Sequence, residues 1–96
     1  MSYLEKIKNI QSEAVSANYE VYKKKLEHAV RRNPFKEEYR IYILIGKYDK
    51  RCGYNVDSSK IKLAQCIKNK FEEDQLICEY VESLKTLHVI LKIYIP

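Results

Sequence analysis

Residues 2–32 carry the sequence SYLEKIKNIQSEAVSANYEVYKKKLEHAVRR, which contains neither glycine nor proline and has apolar residues every three or four positions. This spacing predicts one long amphipathic helix. Ser2 and Glu5 fit an N-cap and capping box, and Asn33 ends the helix because a residue before proline disfavours the α region. The stripe predicted to face the core comprises Leu4, Ile7, Gln11, Val15, Tyr19, Tyr22, Leu26, Ala29 and Val30.

A second apolar row lies beside that stripe and consists of Ile10, Ala14, Ala17 and Val21. The helix would extend about 45 Å at a rise of 1.5 Å per residue. A compact domain of this size has a radius of gyration of about 13 Å, so part of the helix is expected to project beyond the core. We expect one face of the helix to contact its own domain and the second row to contact a partner.

Outward from the helix, residues 38–48, EYRIYILIGKY, are rich in β-branched and aromatic side chains and predict a strand. Tyr42 and Leu44 make its second face nearly as apolar as the first, which is typical of a strand covered on both sides. Residues 49–57 then predict a loop.

A second helix is expected to begin after Asp57, Ser58 and Ser59, all good N-cap residues. The spacing of Leu76, Ile77, Tyr80, Val81 and Leu84 predicts helix again over residues 75–85, either as a separate helix or as a bent continuation. Residues 87–95, LHVILKIYI, predict a C-terminal strand.

The predicted fold is therefore α+β: a long N-terminal helix, a strand, one bent or two consecutive helices, and a C-terminal strand. A single crossover helix would make the two strands parallel, whereas a chain that folds back at Asp74 would allow antiparallel pairing. A two-stranded sheet is marginal and its edges favour pairing, so self-association or incorporation into an assembly is expected. The terminal strand is the second candidate interface, through Val89, Leu91 and Ile93.

The chain has 96 residues and a globular composition, which predicts a single domain spanning residues 1–96. It has no apolar stretch of about 18 residues and no secretory h-region, which predicts an intracellular protein without membrane contact. The three unpaired cysteines Cys52, Cys66 and Cys78 favour the cytoplasm or another reducing compartment, or a virion.

No constellation for catalysis, metal or cofactor binding emerges from the sequence. Cys52, Cys66, Cys78 and His88 lack the knuckle spacing of a structural zinc site. Gly46 and Gly53 belong to no phosphate-binding motif. We expect neither enzymatic activity nor a cofactor.

The net charge of +5 is spread over several basic clusters near tyrosines, an arrangement that can bind single-stranded nucleic acid. Acidic neighbours make a solvated helix face the simpler interpretation. The residues of this alternative are Lys23, Lys24, Lys25, Arg31, Arg32, Lys50 and Arg51.

The leading functional prediction is a small structural or adaptor protein that acts through contacts with itself or another protein in a larger assembly. A virion component is one such assembly that the small size and the Lys-, Ile-, Tyr- and Asn-rich composition would fit. The alternatives are a non-specific nucleic-acid-binding protein and a small inhibitor of a host enzyme.

Overall fold

The computed structural model describes residues 2–96, and these form two helices and five strands. In chain order they are α1 (Tyr3–Arg32), β1 (Tyr39–Leu44), β2 (Gly46–Asp49), β3 (Gly53–Val56), α2 (Ser58–Glu73), β4 (Ile77–Ser83) and β5 (His88–Tyr94). The α+β prediction is confirmed, including the long N-terminal helix, the strand after it, the second helix and the C-terminal strand.

Both helices begin at the caps that the sequence indicates. The Ser2 side chain accepts a hydrogen bond from the Glu5 amide at 3.2 Å, and the Asp57 carboxylate accepts one from the Ser59 amide at 2.9 Å. Each cap satisfies an amide that has no partner within its own helix.

Three strands form an antiparallel sheet in the order β1–β5–β4, so the terminal strand β5 is central. Alternate residues of each strand face the two helices, and the others face away from them. The sheet's core-facing residues Tyr39, Ile41, Ile43, Val89, Leu91 and Ile93 are all buried. From the helices, Tyr19, Leu26, Ala64, Ile67 and Phe71 complete this core.

The prediction of a helix over residues 75–85 is wrong, because most of this segment is strand β4. α2 ends at Glu73, and Gln75 then takes a left-handed conformation, with φ of 69°, that turns the chain back. In β4, Glu79 shares a face with Ile77 and Val81. That face points away from the helices, and Glu79 lies opposite Lys92 there. Residues 58–85 are thus one helix and one strand, and β1 and β5 are antiparallel.

The segment predicted as one strand and a loop forms more structure than expected. Residues 38–48 are interrupted at Ile45, whose amide donates to the Leu87 carbonyl at 2.8 Å while its own carbonyl accepts from the Asp57 amide. β2 and β3 form a separate hairpin that includes most of the predicted loop. A Cβ at Gly46 would lie 2.3 Å from the Asn55 carbonyl oxygen, so the close approach of β2 and β3 at this position requires glycine.

The overall shape is flat, with extents of 45 × 44 × 18 Å and a radius of gyration of 15.3 Å. That radius exceeds the roughly 13 Å of a compact chain of this length. The first turns of α1 contribute to this excess, because residues 3–14 are all exposed. No helix within residues 2–96 is long and apolar enough to span a membrane.

Candidate protein-contact surface

The second half of α1 fixes this helix to the rest of the chain. Tyr19 packs edge-on against Phe71 of α2 with ring centroids 4.9 Å apart, and its hydroxyl donates to Asp74. Leu26 is buried, and Tyr22, Ala29 and Val30 pack around it. The N-terminal half, by contrast, contributes no buried side chain, and residues 3–14 are all exposed.

Six apolar residues follow an unbroken heptad spacing along α1, and we call them the seam: Tyr3, Ile7, Ile10, Ala14, Ala17 and Val21. Successive members are separated by four, three, four, three and four positions, which is the a/d pattern of a coiled coil. All six are exposed in the structure, with exposures of 76% for Tyr3, 42% for Ile7, 51% for Ile10 and 53% for Val21.

The seam and the core-facing stripe occupy different sides of the helix. At about 100° per residue, the centre of the seam lies about a third of a turn from the line through Val15, Tyr22 and Leu26. The body of the domain therefore does not cover the seam, and a second helix could lie along it without displacing the core.

Residues at the heptad positions next to the seam flank it on both sides, and all but Leu4 are charged or polar. One flank is mostly acidic and consists of Lys6, Glu13, Glu20 and Glu27, while the other consists of Leu4, Gln11, Asn18 and Lys25. Such flanking residues select partner and orientation in helix pairs.

The structure separates the two groups of residues that the sequence proposed as a protein interface. Ile10, Ala14, Ala17 and Val21 lie together on the exposed seam. Val89, Leu91 and Ile93 are 0% exposed and belong to the core. Both edges of β5 are paired, so neither its inner side chains nor its backbone is open to a partner.

Sequence reasoning did not include Tyr3 and Ile7 in the interface. The missed signal was the heptad spacing, which continues backwards from Ile10 to Tyr3 without a break. The sequence places Ile7 in the core-facing stripe, but the first residue of α1 in the buried core is Tyr19, and Leu4, Ile7 and Gln11 are exposed.

The sheet face opposite the helices is also open, although the sequence indicated a strand covered on both sides. Tyr42 and Leu44 are half exposed on this face, next to Ile90 and Val81. At the polar end of this sheet face, the Tyr94 hydroxyl donates a hydrogen bond to the Glu38 carboxylate at 2.9 Å. This hydrogen bond, with burial, raises the pKa of Tyr94 to about 12.

A cleft of about 680 Å³ separates the projecting half of α1 from α2. Val15, Leu63 and Cys66 contribute apolar surface, while Lys8 and Lys62 contribute charge. Tyr19 of α1 and Phe71 of α2 bring the two helices into contact through their edge-on ring pair.

The basic residues of the nucleic-acid alternative lie on two separate elements. Lys23, Lys24, Lys25, Arg31 and Arg32 are on the second half of α1, and Lys50 and Arg51 are in the turn of the β2–β3 hairpin. Part of the helical charge is already engaged. Lys23 forms an ion pair with Glu20 at 3.2 Å, and Lys25 lies 5.2 Å from the ring centroid of Tyr22.

The hairpin presents an aromatic pair beside its basic turn. Tyr48 and Tyr54 face each other across the two strands with ring centroids 5.2 Å apart, and both are more than 60% exposed.

The cysteine and histidine residues are dispersed. Across residues 2–96, no three His, Cys, Asp or Glu side chains are grouped so that they could hold a metal ion. Cys52 and Cys66 are exposed free thiols, whereas Cys78 is half buried. Burial raises the pKa of the Cys78 thiol to about 11, which keeps it protonated at neutral pH.

Comparison with known proteins found no matching family model, no matching curated protein and no matching solved structure. No residue of this chain therefore acquires a role by relationship, and the geometry of its own surface is what bears on function.

Proposed function

We propose that this protein is a small interaction module that joins a larger assembly by burying the seam of α1 against a helix of a protein partner. The observation that carries the proposal is the exposure of six heptad-spaced apolar residues on a helix that extends beyond its core. A solvated helix face has no need for this pattern, whereas a helix pair requires it.

The free energy of helix formation supports the same proposal. An isolated helix of fewer than about 12–15 residues is marginal in water. Residues 3–14 have no buried side chain to hold them, and Ile7 and Ile10 would lose apolar exposure on pairing. A partner helix would therefore stabilise a segment that the monomer leaves weakly supported.

We also propose that the protein resides in a reducing compartment. Cys52 and Cys66 are exposed and unpaired, and exposed thiols persist best where disulfides do not form. A virion is one assembly that would fit a module of this size.

The proposal is tested by site-specific photo-crosslinking in the cells that express the protein. A photoreactive amino acid replaces Ile10 in the seam, and in a matched control it replaces Ser16, which is exposed on another side of the same helix. We expect a defined protein adduct from position 10 and none from position 16. Equal labelling at both positions, or no adduct at position 10, would contradict the proposal.

A second candidate function, nucleic-acid binding, is favoured by one observation at the β2–β3 hairpin. Tyr48 and Tyr54 are exposed beside Lys50 and Arg51, and stacking aromatics next to positive charge suit single-stranded nucleic acid. Binding of a labelled mixed-sequence oligonucleotide, followed by anisotropy, should then weaken steeply between low and moderate salt. It should also weaken in Tyr54→Ala but not in Tyr3→Ala. No binding at low salt would remove this candidate.

A further inference from the structure

We propose that the partner of the seam is a second copy of this chain, paired antiparallel through α1 about a two-fold axis near residue 12. This inference rests on the function proposed above and specifies its partner. In this register, the residue numbers of two facing seam residues add to 24. Each heptad a position of one copy therefore meets a heptad d position of the other copy, as antiparallel helix pairing requires.

Side-chain size is the first argument for this arrangement. Ile10 faces the partner's Ala14, and Ile7 faces the partner's Ala17, so each large side chain meets a small one. Tyr3 faces the partner's Val21 at both ends of the pair. Alternating large and small residues across an interface lets two helices interdigitate at a uniform distance.

A parallel pair would not match in this way. Tyr3 would meet Tyr3, Ile10 would meet Ile10 and Ala14 would meet Ala14, so the helices would have to be far apart at one end and close at the other. The seam is thus self-complementary when one copy is reversed. A two-fold axis generates that arrangement, because it places the same patch on both copies.

Charge is the second argument. In the antiparallel register, the mostly acidic flank of one copy runs along the same flank of the other. Lys6 of each copy then lies opposite the partner's Glu20, so this pair occurs twice. In a parallel pair, Lys6 would face Gln11 instead. Glu13 meets the partner's Glu13 at the centre of the antiparallel pair, so Glu13→Gln should strengthen the association.

Within one chain, Lys6 and Glu20 cannot contact each other. They are 14 positions apart on one continuous helix, which at 1.5 Å per residue is about 21 Å. Any coupling between these two positions must therefore act between copies. Glu20 also forms an ion pair with Lys23 in its own helix. A control must therefore remove this intrahelical ion pair.

The test is a charge swap measured by sedimentation equilibrium of the full chain at low ionic strength. Lys6→Glu and Glu20→Lys each turn two attractive pairs into two repulsive ones, and each should weaken dimerisation roughly 5- to 30-fold. The double variant should recover most of this loss. An equimolar mixture of the two single variants should recover it too, because a heterodimer restores both attractive pairs.

Two controls separate this coupling from effects on the helix itself. Lys23→Ala removes the local partner of Glu20 without touching the seam and should leave dimerisation within about twofold. Circular dichroism should report the same helix content for all the variants when each is compared at a concentration where its dimer predominates. Rescue by mixing is specific to the antiparallel register, because no parallel pairing places Lys6 opposite Glu20.

A dimer that is weakened by both single variants but rescued by neither the double variant nor the mixture would overturn the antiparallel register. A chain that stays monomeric at all concentrations would overturn self-pairing. The proposed function is judged separately, because an adduct from position 10 with the mass of another protein would uphold it while also overturning self-pairing.

Discussion

The Tyr19 hydroxyl of α1 donates a hydrogen bond to the carboxylate of Asp74, the residue that caps the C-terminus of α2. The ring of the same tyrosine packs edge-on against Phe71 in the last turn of α2. One side chain thus ties the long helix to the second helix just where α1 changes from anchored to projecting.

Tyr19→Phe should destabilise the fold while keeping the ring contact. The lost hydrogen bond to a carboxylate is worth about 1–2 kcal/mol, which denaturant unfolding at neutral pH would measure. Tyr3→Phe, at an exposed tyrosine of the same helix, is the matched control and should change stability by less than about 0.5 kcal/mol. If both substitutions lowered the free energy of unfolding equally, the result would contradict a stabilising hydrogen bond between Tyr19 and Asp74.

Alkaline unfolding gives an independent test of the same tyrosine. Burial, and then the hydrogen bond to Asp74, raise the pKa of Tyr19 above its ordinary value of 10.0. The unfolded chain therefore releases this proton first, and the stability contributed by Tyr19 is complete below pH 10 and falls as the pH rises above it. Tyr19→Phe should lose less stability above pH 10 than the parent chain. An unchanged slope would contradict this role.

Ile93 and Ile95 distinguish the inner face of the terminal strand from its exposed end. Ile93 is 0% exposed and Ile95 is 51% exposed. Ile93→Val should cost about 0.5–1.5 kcal/mol of unfolding free energy, and Ile95→Val should cost almost nothing. If Ile93→Val changed association but not stability, the assignment of this side chain to the core would be wrong.

The two glycines should respond differently to alanine. A Cβ at Gly46 would overlap the Asn55 carbonyl, whereas Gly53, with φ of +76°, has open space around it. Gly46→Ala should cost about 1–3 kcal/mol through backbone displacement. Gly53→Ala should cost roughly 1 kcal/mol through its left-handed conformation. Thermal unfolding of the two variants compares them, and the reverse order would contradict the described hairpin.

Ala17→Glu should weaken association without unfolding the monomer, because Ala17 lies in the exposed seam. A carboxylate buried in a helix pair has no partner there, so association should fall more than tenfold. Ser16→Glu adds the same charge at an exposed position outside the seam and is the matched control. Sedimentation measures both, and an Ala17→Glu chain that stays fully assembled would count against this interface.

Much of the fold could be predicted from local sequence signals. The caps at Ser2 and Asp57 and the stop at Asn33 depend only on neighbouring residues, and the structure confirms them. The alternation from Leu87 to Ile95 likewise indicated a strand, because its period of two leaves no helical alternative.

The segment after Asp74 could not be assigned in the same way. The spacing of Ile77, Tyr80 and Val81 fits both a helix and a strand. The placement of Glu79 opposite Lys92 arises only when β4 and β5 pair, which local spacing does not reveal. Because β4 was missed, the sheet was expected to have two strands and an open edge at the terminal strand. The addition of β4 makes β5 central and buries Val89 and Leu91.

The candidate surface was only half visible in the sequence. The sequence shows a second apolar row that consists of Ile10, Ala14, Ala17 and Val21. Which of the two apolar rows of α1 faces the core, however, depends on where the helix meets the sheet. The first core residue of α1 is Tyr19, and Tyr3 and Ile7 lie outside the core.

Hydrogen exchange of the parent chain at low and high protein concentration tests the central claim, that the seam of α1 pairs with a second copy of the chain, most directly. We predict that the amides of residues 3–14 exchange rapidly in dilute solution, because every residue of this part of the helix is exposed. Their protection should increase with concentration while that of β5, already buried, stays constant. Rapid exchange in residues 3–14 at every concentration would contradict the claim.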